Sequence, residues 1–309
     1  MFERILVPLD GSPEAEEALN PLLRVLRRKD AEVILFRSVL LPPLVNMDAA
    51  GAVMIGQESE ALTYLEQMCA RLADAGLNIR TQVGQGPAAD AILKAAGELD
   101  VTLISMSTHG RSGFARLMLG SVTEEVLRRS PIPVHVTNVR PPGIRLIADS
   151  FRTILVPFDG TRESLCVEPL VVETARLFGA GVAILRVEDG APHGPDFGFV
   201  GHLMDGPVNL DEHPEILDRD MVEAGNRFAC QGLRTTLFRV RGDSVEKINH
   251  LARILPAGLI VMASHGRRGV SRIVSGSVAE EVVRRAEVPV LVARIEAAAA
   301  APLKERRVS

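Results

Sequence analysis

A chain of 309 residues with a formal charge of -4, a pI near 6.0 and no tryptophan lacks the basic surface and stacking side chains of a general nucleic-acid binder. Apolar residues make up 47% of the sequence, enough for two cores, yet no run approaches the roughly 20 residues of a membrane span. No signal-like pattern opens the chain, and Cys69, Cys166 and Cys230 are scattered without metal-site spacing, so a cytoplasmic protein with buried, reduced thiols is expected.

The first apolar run, "ILVPLD", reads as a strand that ends in a turn at Asp10. A helix is expected from about Pro13 to Arg28, a strand at "EVILFRSV", a helix from about Glu58 to Ala75, a strand at "NIRTQVG" and a helix from about Ala88 to Glu98. "VTLISMS" supplies the fourth strand, a helix starts after Ser121, and "PVHVTNV" is the fifth strand. Strands alternating with helices indicate βαβ units and a mostly parallel sheet. Residues 141–151, which contain "PPG", form a linker.

Beyond the linker the pattern repeats. "TILVPFDGT" (Thr153 to Thr161) matches "RILVPLDGS" (Arg4 to Ser12), and "ASHGRRGVSRIVSGS" (Ala263 to Ser277) matches "STHGRSGFARLMLGS" (Ser107 to Ser121). The chain thus divides into domains at residues 1–140 and 152–296, with a fraying tail at 297–309. The stretch Glu188 to Asp220 carries His193, His202 and His213 in a Gly/Pro-rich context; no ligand spacing supports a metal site, and it reads as a mobile lid.

Repeated glycines at fixed distances suggest a backbone that approaches something closely. In an open α/β sheet, ligands bind beyond the C-terminal strand ends, where Asp10 and the first glycine segment both fall. Gly120-Ser121 and Gly276-Ser277 each precede a helix, whose N-terminal amides suit a phosphate. Ser121 with Glu124, and Ser277 with Glu280, equally fit a capping box. Arg111, Arg116, Arg267 and Arg272 read as phosphate screens or solvated surface charges, and His109 and His265 as loop-packing residues. P-loop, dinucleotide-binding and nucleophile-elbow patterns are missing, which lowers the odds of a fast ATPase, a dehydrogenase or a hydrolase.

At these residues the chain resembles the universal stress protein family, specifically its tandem members. Its G-x-x-G-x(9)-G-[ST] signature runs Ser107, Gly110, Gly120, Ser121 in one copy and Ala263, Gly266, Gly276, Ser277 in the other, with Ser107 and Ala263 replacing the first glycine. The resemblance implies two flavodoxin-like, doubly wound α/β domains of strand order 3-2-1-4-5. It also implies ATP with Mg²⁺ as ligand, held by Pro8, Asp10, Ser38, Ser107, Gly110, Arg111, Gly120, Ser121 and Val122 in the first domain. The second-domain set is Pro157, Asp159, Val187, Ala263, Gly266, Arg267, Gly276, Ser277 and Val278. The fifth strands, Val134 to Val139 and Val290 to Ile295, are expected to pair as an internal pseudo-dimer, with a homodimer and a regulatory protein as further partners and no partner of nucleic acid or membrane. Three functions stay open: an ATP-binding stress regulator with no catalytic residue, a slow ATPase or phosphotransferase, and a structural pseudo-dimer that has lost nucleotide binding.

Overall fold

Ile5, Leu6 and Val7 are fully buried, so the strand that holds them, β1 (Arg4–Pro8), is apolar on both faces. Such a strand belongs inside a parallel sheet covered by helices on either side. The computed structural model, which describes residues 2–17, 19, 31–40, 47–73, 76–108, 119–138, 152–188, 200–204, 219–255, 257–264 and 277–294, places it there. Around β1 lie β2 (Glu32–Val39), β3 (Asn78–Gln85), β4 (Leu103–Ser107) and β5 (Val134–Thr137), all parallel, in the order β3-β2-β1-β4-β5.

Helix α1 (Pro13–Glu17) and α2 (Met47–Leu72) cover one face, where Ala15, Leu65 and Met68 pack with Ile5, Val7, Val33 and Leu35. Helices α3 (Ala88–Glu98) and α4 (Ser121–Arg129) cover the other, where Ile92, Val126 and Leu127 meet Leu6, Ile34, Phe36 and Ile104. The chain is already helical at Met47, well before Glu58; Gly51 and Gly56 lower the local helix propensity, but the surrounding Ala and Met residues carry the helix through.

The second domain repeats the winding. It contains β6 (Thr153–Pro157), a 3₁₀ turn (Glu163–Val167) running into α5 (Glu168–Phe178), β7 (Gly181–Glu188), β8 (Val200–Met204), α6 (Arg219–Ala229), β9 (Thr235–Arg241), α7 (Ser244–Ile254), β10 (Leu259–Ser264), α8 (Ser277–Arg285) and β11 (Val290–Arg294). Its order is β11-β10-β6-β7-β9-β8. The expected lid over Glu188 to Asp220 is corrected in part: Val200–Met204 is a strand, antiparallel to β9, with Val200 opposite Arg239 and Met204 opposite Thr235. It pairs with what would otherwise be an open sheet edge. His193 and His213, the linker and the tail lie outside the described residues.

The two domains share one sheet of eleven described strands, joined where β5 and β11 run antiparallel. Val136 faces Val290, His135 faces Leu291, and Val134 faces Val292. Val136 and Val290 are each 1% exposed, so the junction is as buried as the domain cores. The expectation of uniformly buried thiols is also corrected: Cys69 and Cys166 are half-buried, while Cys230 is exposed in the turn after α6. Among the described residues no helix is long and apolar enough to cross a membrane.

Candidate nucleotide site

Strand β1 pairs with β4, so the segments leaving their C-terminal ends stand beside one another at the point where the winding reverses. The first of these segments is built around Asp10. Its Oδ1 accepts from the Ser12 backbone N–H at 2.9 Å and from the Ser12 hydroxyl at 2.5 Å, and Ser12 Oγ accepts from Ala15 N–H at 3.2 Å. In the second domain, Asp159 Oδ1 accepts from Thr161 N–H at 2.9 Å and from Thr161 Oγ1 at 2.6 Å. One oxygen of each aspartate therefore shapes the turn that starts the following helical segment. The glycine between the partners, Gly11 or Gly160, sits at φ 85° or 91°, a conformation that side chains with a Cβ rarely adopt.

The second segment leaves β4. Thr108 lies just after the strand and Gly120 just before α4, and Gly120 N–H donates to Thr108 O at 2.7 Å, closing the glycine-rich loop at its base. A Cβ on Gly120 would stand 3.0 Å from that same oxygen. A side chain at Gly120 would thus crowd the loop closure itself, whatever the loop binds. The Thr123 hydroxyl donates to Ser107 O at 2.9 Å, tying the first turn of α4 to the end of β4.

The capping-box alternative does not hold at α4. Gly120 takes the N-cap position, Ser121 is the first helical residue, and no side chain caps the helix. Glu124 is turned to another use: burial first, then the charge of Glu124, push the Glu280 carboxyl up, against the opposing pull of Arg284 and Arg128. The charge of Glu124 in one domain therefore acts on the Glu280 carboxyl in the other, and the N-cap position of α4 supplies no side-chain acceptor to the helix amides.

Pro8 ends β1 opposite Phe36, and Pro157 ends β6 opposite Leu185. Ser38 stands opposite Gly84 near the end of β2, and Val187 opposite Val240 near the end of β7. Ser107 is buried, and Ala263 is half-buried against the core. Val122 packs against the core, Val278 is exposed, and Ser277 opens α8. Gly110, Arg111 and Arg116, with His109, lie outside the described residues, as do Gly266, Arg267, Arg272, Gly276 and His265. Sequence reasoning missed Thr108 and Thr123. The signal for the second was present, since "SVTEEV" in one copy faces "SVAEEV" in the other, leaving Ala279 without a hydroxyl where Thr123 bonds. Among the described residues no group of three or more His, Cys, Asp or Glu could hold a metal ion.

The fold and this junction define a tandem pair of Rossmann-like domains, each wound around a strand-to-helix turn at the switch point. The model of the universal stress protein family matches residues 1–138 and again 150–294, and the chain belongs to that family. A universal stress protein of Mycolicibacterium smegmatis is 24% identical over 312 residues, covering 94% of this chain and 96% of its own. One from Methanocaldococcus jannaschii is 31% identical over 144 residues, covering 45% of this chain and 83% of its own. The crystal structure of a universal stress protein from Archaeoglobus fulgidus superposes with a TM-score of 0.73 at 21% identity, covering 96% of this chain and 99% of its own, which shows the shared two-domain fold.

Proposed function

We propose that the protein binds ATP with Mg²⁺ at the β4–α4 junction and at the matching place in the second domain, and that ATP occupancy regulates its contacts with a protein partner in a stress response. The observation that carries this reading is the N-terminus of α4, which has no side-chain cap and stands at the C-terminal end of β4 beside the Asp10 turn. The backbone N–H groups of Ser121, Val122 and Thr123 have no acceptor within a helix of this start, and the helix dipole adds partial positive charge. An anionic phosphate fits such a place, and the Ser121 hydroxyl supplies one more donor.

Asp10, Pro8 and Ser38 lie on the β1–β2 side of that junction and would hold the adenosine; Asp159, Pro157 and Val187 would do so in the second domain, with Ser277 and Val278 at the phosphates. ATP brings a triphosphate whose charge Mg²⁺ shares. The protein's part is to orient the nucleotide with fixed amides.

Ser121→Pro tests this reading. Proline is well suited to the first helical position, and Gly120 at φ -61°, ψ 139° already has the extended backbone that a following proline demands. The variant therefore keeps the fold while deleting one amide and one hydroxyl. Calorimetric titration with MgATP should show about a tenfold or greater loss of affinity in the first domain. Gly120→Val is a poorer probe, because its Cβ would crowd Thr108 O at 3.0 Å and disturb the loop closure as well as the ligand. ATP affinity unchanged in both Ser121→Pro and Ser277→Pro would overturn the assignment.

A further inference from the structure

Arg37 in β2 and Arg186 in β7 are equivalent residues of the two domains, each next to the residue, Ser38 or Val187, that the proposed site places at the adenosine. Their side chains go to different places. Arg37 lies over the Tyr64 ring, 5.0 Å from its centroid, with Nη2 3.9 Å from Glu60. Both partners are on α2, and Tyr64 is fixed in turn by its bond to Glu16 at 3.1 Å. Helix α2 thus holds the Arg37 guanidinium on the Tyr64 ring.

In the second domain that platform is gone. Leu65 and Met221 are matching fully buried residues of α2 and α6, so Tyr64 corresponds to Asp220 of α6. Glu188, on Arg186's own strand, is engaged by Arg239 and Arg241. Arg186 instead lies on the turn after β6. A Cβ at Gly160 would stand 3.1 Å from its Nη2, 3.2 Å from its Cζ and 3.3 Å from its Nη1. The guanidinium thereby crosses from β7 to the end of β6, the two strands that would flank an adenine.

We propose that Arg186 is a specificity-determining residue that covers the adenosine end of the second-domain site and makes the two sites unequal, the first open to ATP and the second reached only when Arg186 moves aside. The proposal rests on the nucleotide reading above. If the uncovered arrangement is populated about one time in ten, apparent affinity at the second site falls about tenfold. Its measurable signature is two classes of site in one chain.

The test is calorimetric titration of the full-length protein with MgATP, in the wild type and in Ser121→Pro, where the second domain alone would bind. Arg186→Ala should tighten the weaker class about tenfold in both backgrounds, while Arg37→Ala leaves both classes within about twofold. Ligand-free melting curves of the two arginine variants establish that each is folded. A loss of affinity in Arg186→Ala would make the guanidinium a ligand contact and overturn the covering role. Two equal sites indifferent to Arg186→Ala would overturn the inference and leave the nucleotide reading standing, whereas a wild type that takes up no ATP would overturn both.

Discussion

Asn138 and Arg294 hold equivalent positions at the ends of the two fifth strands, and each donates from its side chain to the C-terminal turn of the other domain's last helix. Asn138 Nδ2 reaches Val283 O at 2.9 Å and also Ala286 O; Arg294 Nη1 reaches Arg129 O at 3.3 Å. Carbonyls at a helix end have no partner within the helix, so each domain completes a helix of its neighbour. The completion is unequal, since Asn138 is half-buried and makes two bonds, while the Arg294 contact is long and exposed.

Asn138→Ala should therefore lower stability by about 1–2 kcal/mol, because two part-buried carbonyls lose their donor. In Arg294→Ala, the loss of the exposed bond to Arg129 O should contribute less than about 0.5 kcal/mol. Urea unfolding of both variants checks the ranking, and equal losses would contradict it.

Lysine at Val136 would carry a charge into a contact with Val290 that offers it no partner. A loss of about 3–5 kcal/mol is expected. Small-angle scattering should report separated domains wherever the variant stays folded. A profile and a melting curve identical to the wild type would reject β5–β11 pairing.

The tie between Thr123 and Ser107 predicts a local effect. Thr123→Ala leaves Ser107 O without its hydroxyl donor, at a cost of about 1–2 kcal/mol, and frees the α4 start to move. Hydrogen exchange should quicken at the Gly120 amide, which bonds Thr108 O next to the lost tie. Ala279→Thr in the second domain is the reciprocal variant.

His135 predicts a pH dependence. Burial pulls its imidazole down to about 4, and its Nδ1 lies 3.0 Å from Ser105 Oγ. The folded state thus holds the ring neutral while the unfolded chain protonates it near pH 6.5. Between those two values the unfolded state binds more protons, so stability falls as pH drops from about 6.5 to about 4, by up to roughly 3 kcal/mol. His135→Gln should flatten that limb. A wild-type slope that survives the substitution would place its origin elsewhere.

Much of this was legible in the sequence because the chain contains its own control. The matched "RILVPLDGS" and "TILVPFDGT" locate both first strands, and the repeated glycine segments locate both fourth strands and the helices after them. Other features were hidden for identifiable reasons. Ser121 followed by Glu124 fits a cap equally well whether the serine sits at the N-cap or one residue inside, and Gly120 decides it. The strand at Val200–Met204 is five residues between Gly/Pro-rich flanks, and only its pairing with β9 makes it one. Arg37 and Arg186 are the same residue in the same strand context; what separates them is Tyr64 against Asp220, distant in sequence and joined to them only through packing.

The junction of β5 and β11 fixes the polarity of the whole molecule. Within each domain the core strands run one way, and the antiparallel seam reverses the direction, so the carboxyl ends of the two sets emerge on opposite long rims of a common sheet. The two proposed nucleotide sites, placed at those ends, would therefore face apart. On the proposed nucleotide reading, one flat partner surface would cover a single site, so a tandem chain of this kind would present its two occupancies to two separate surfaces.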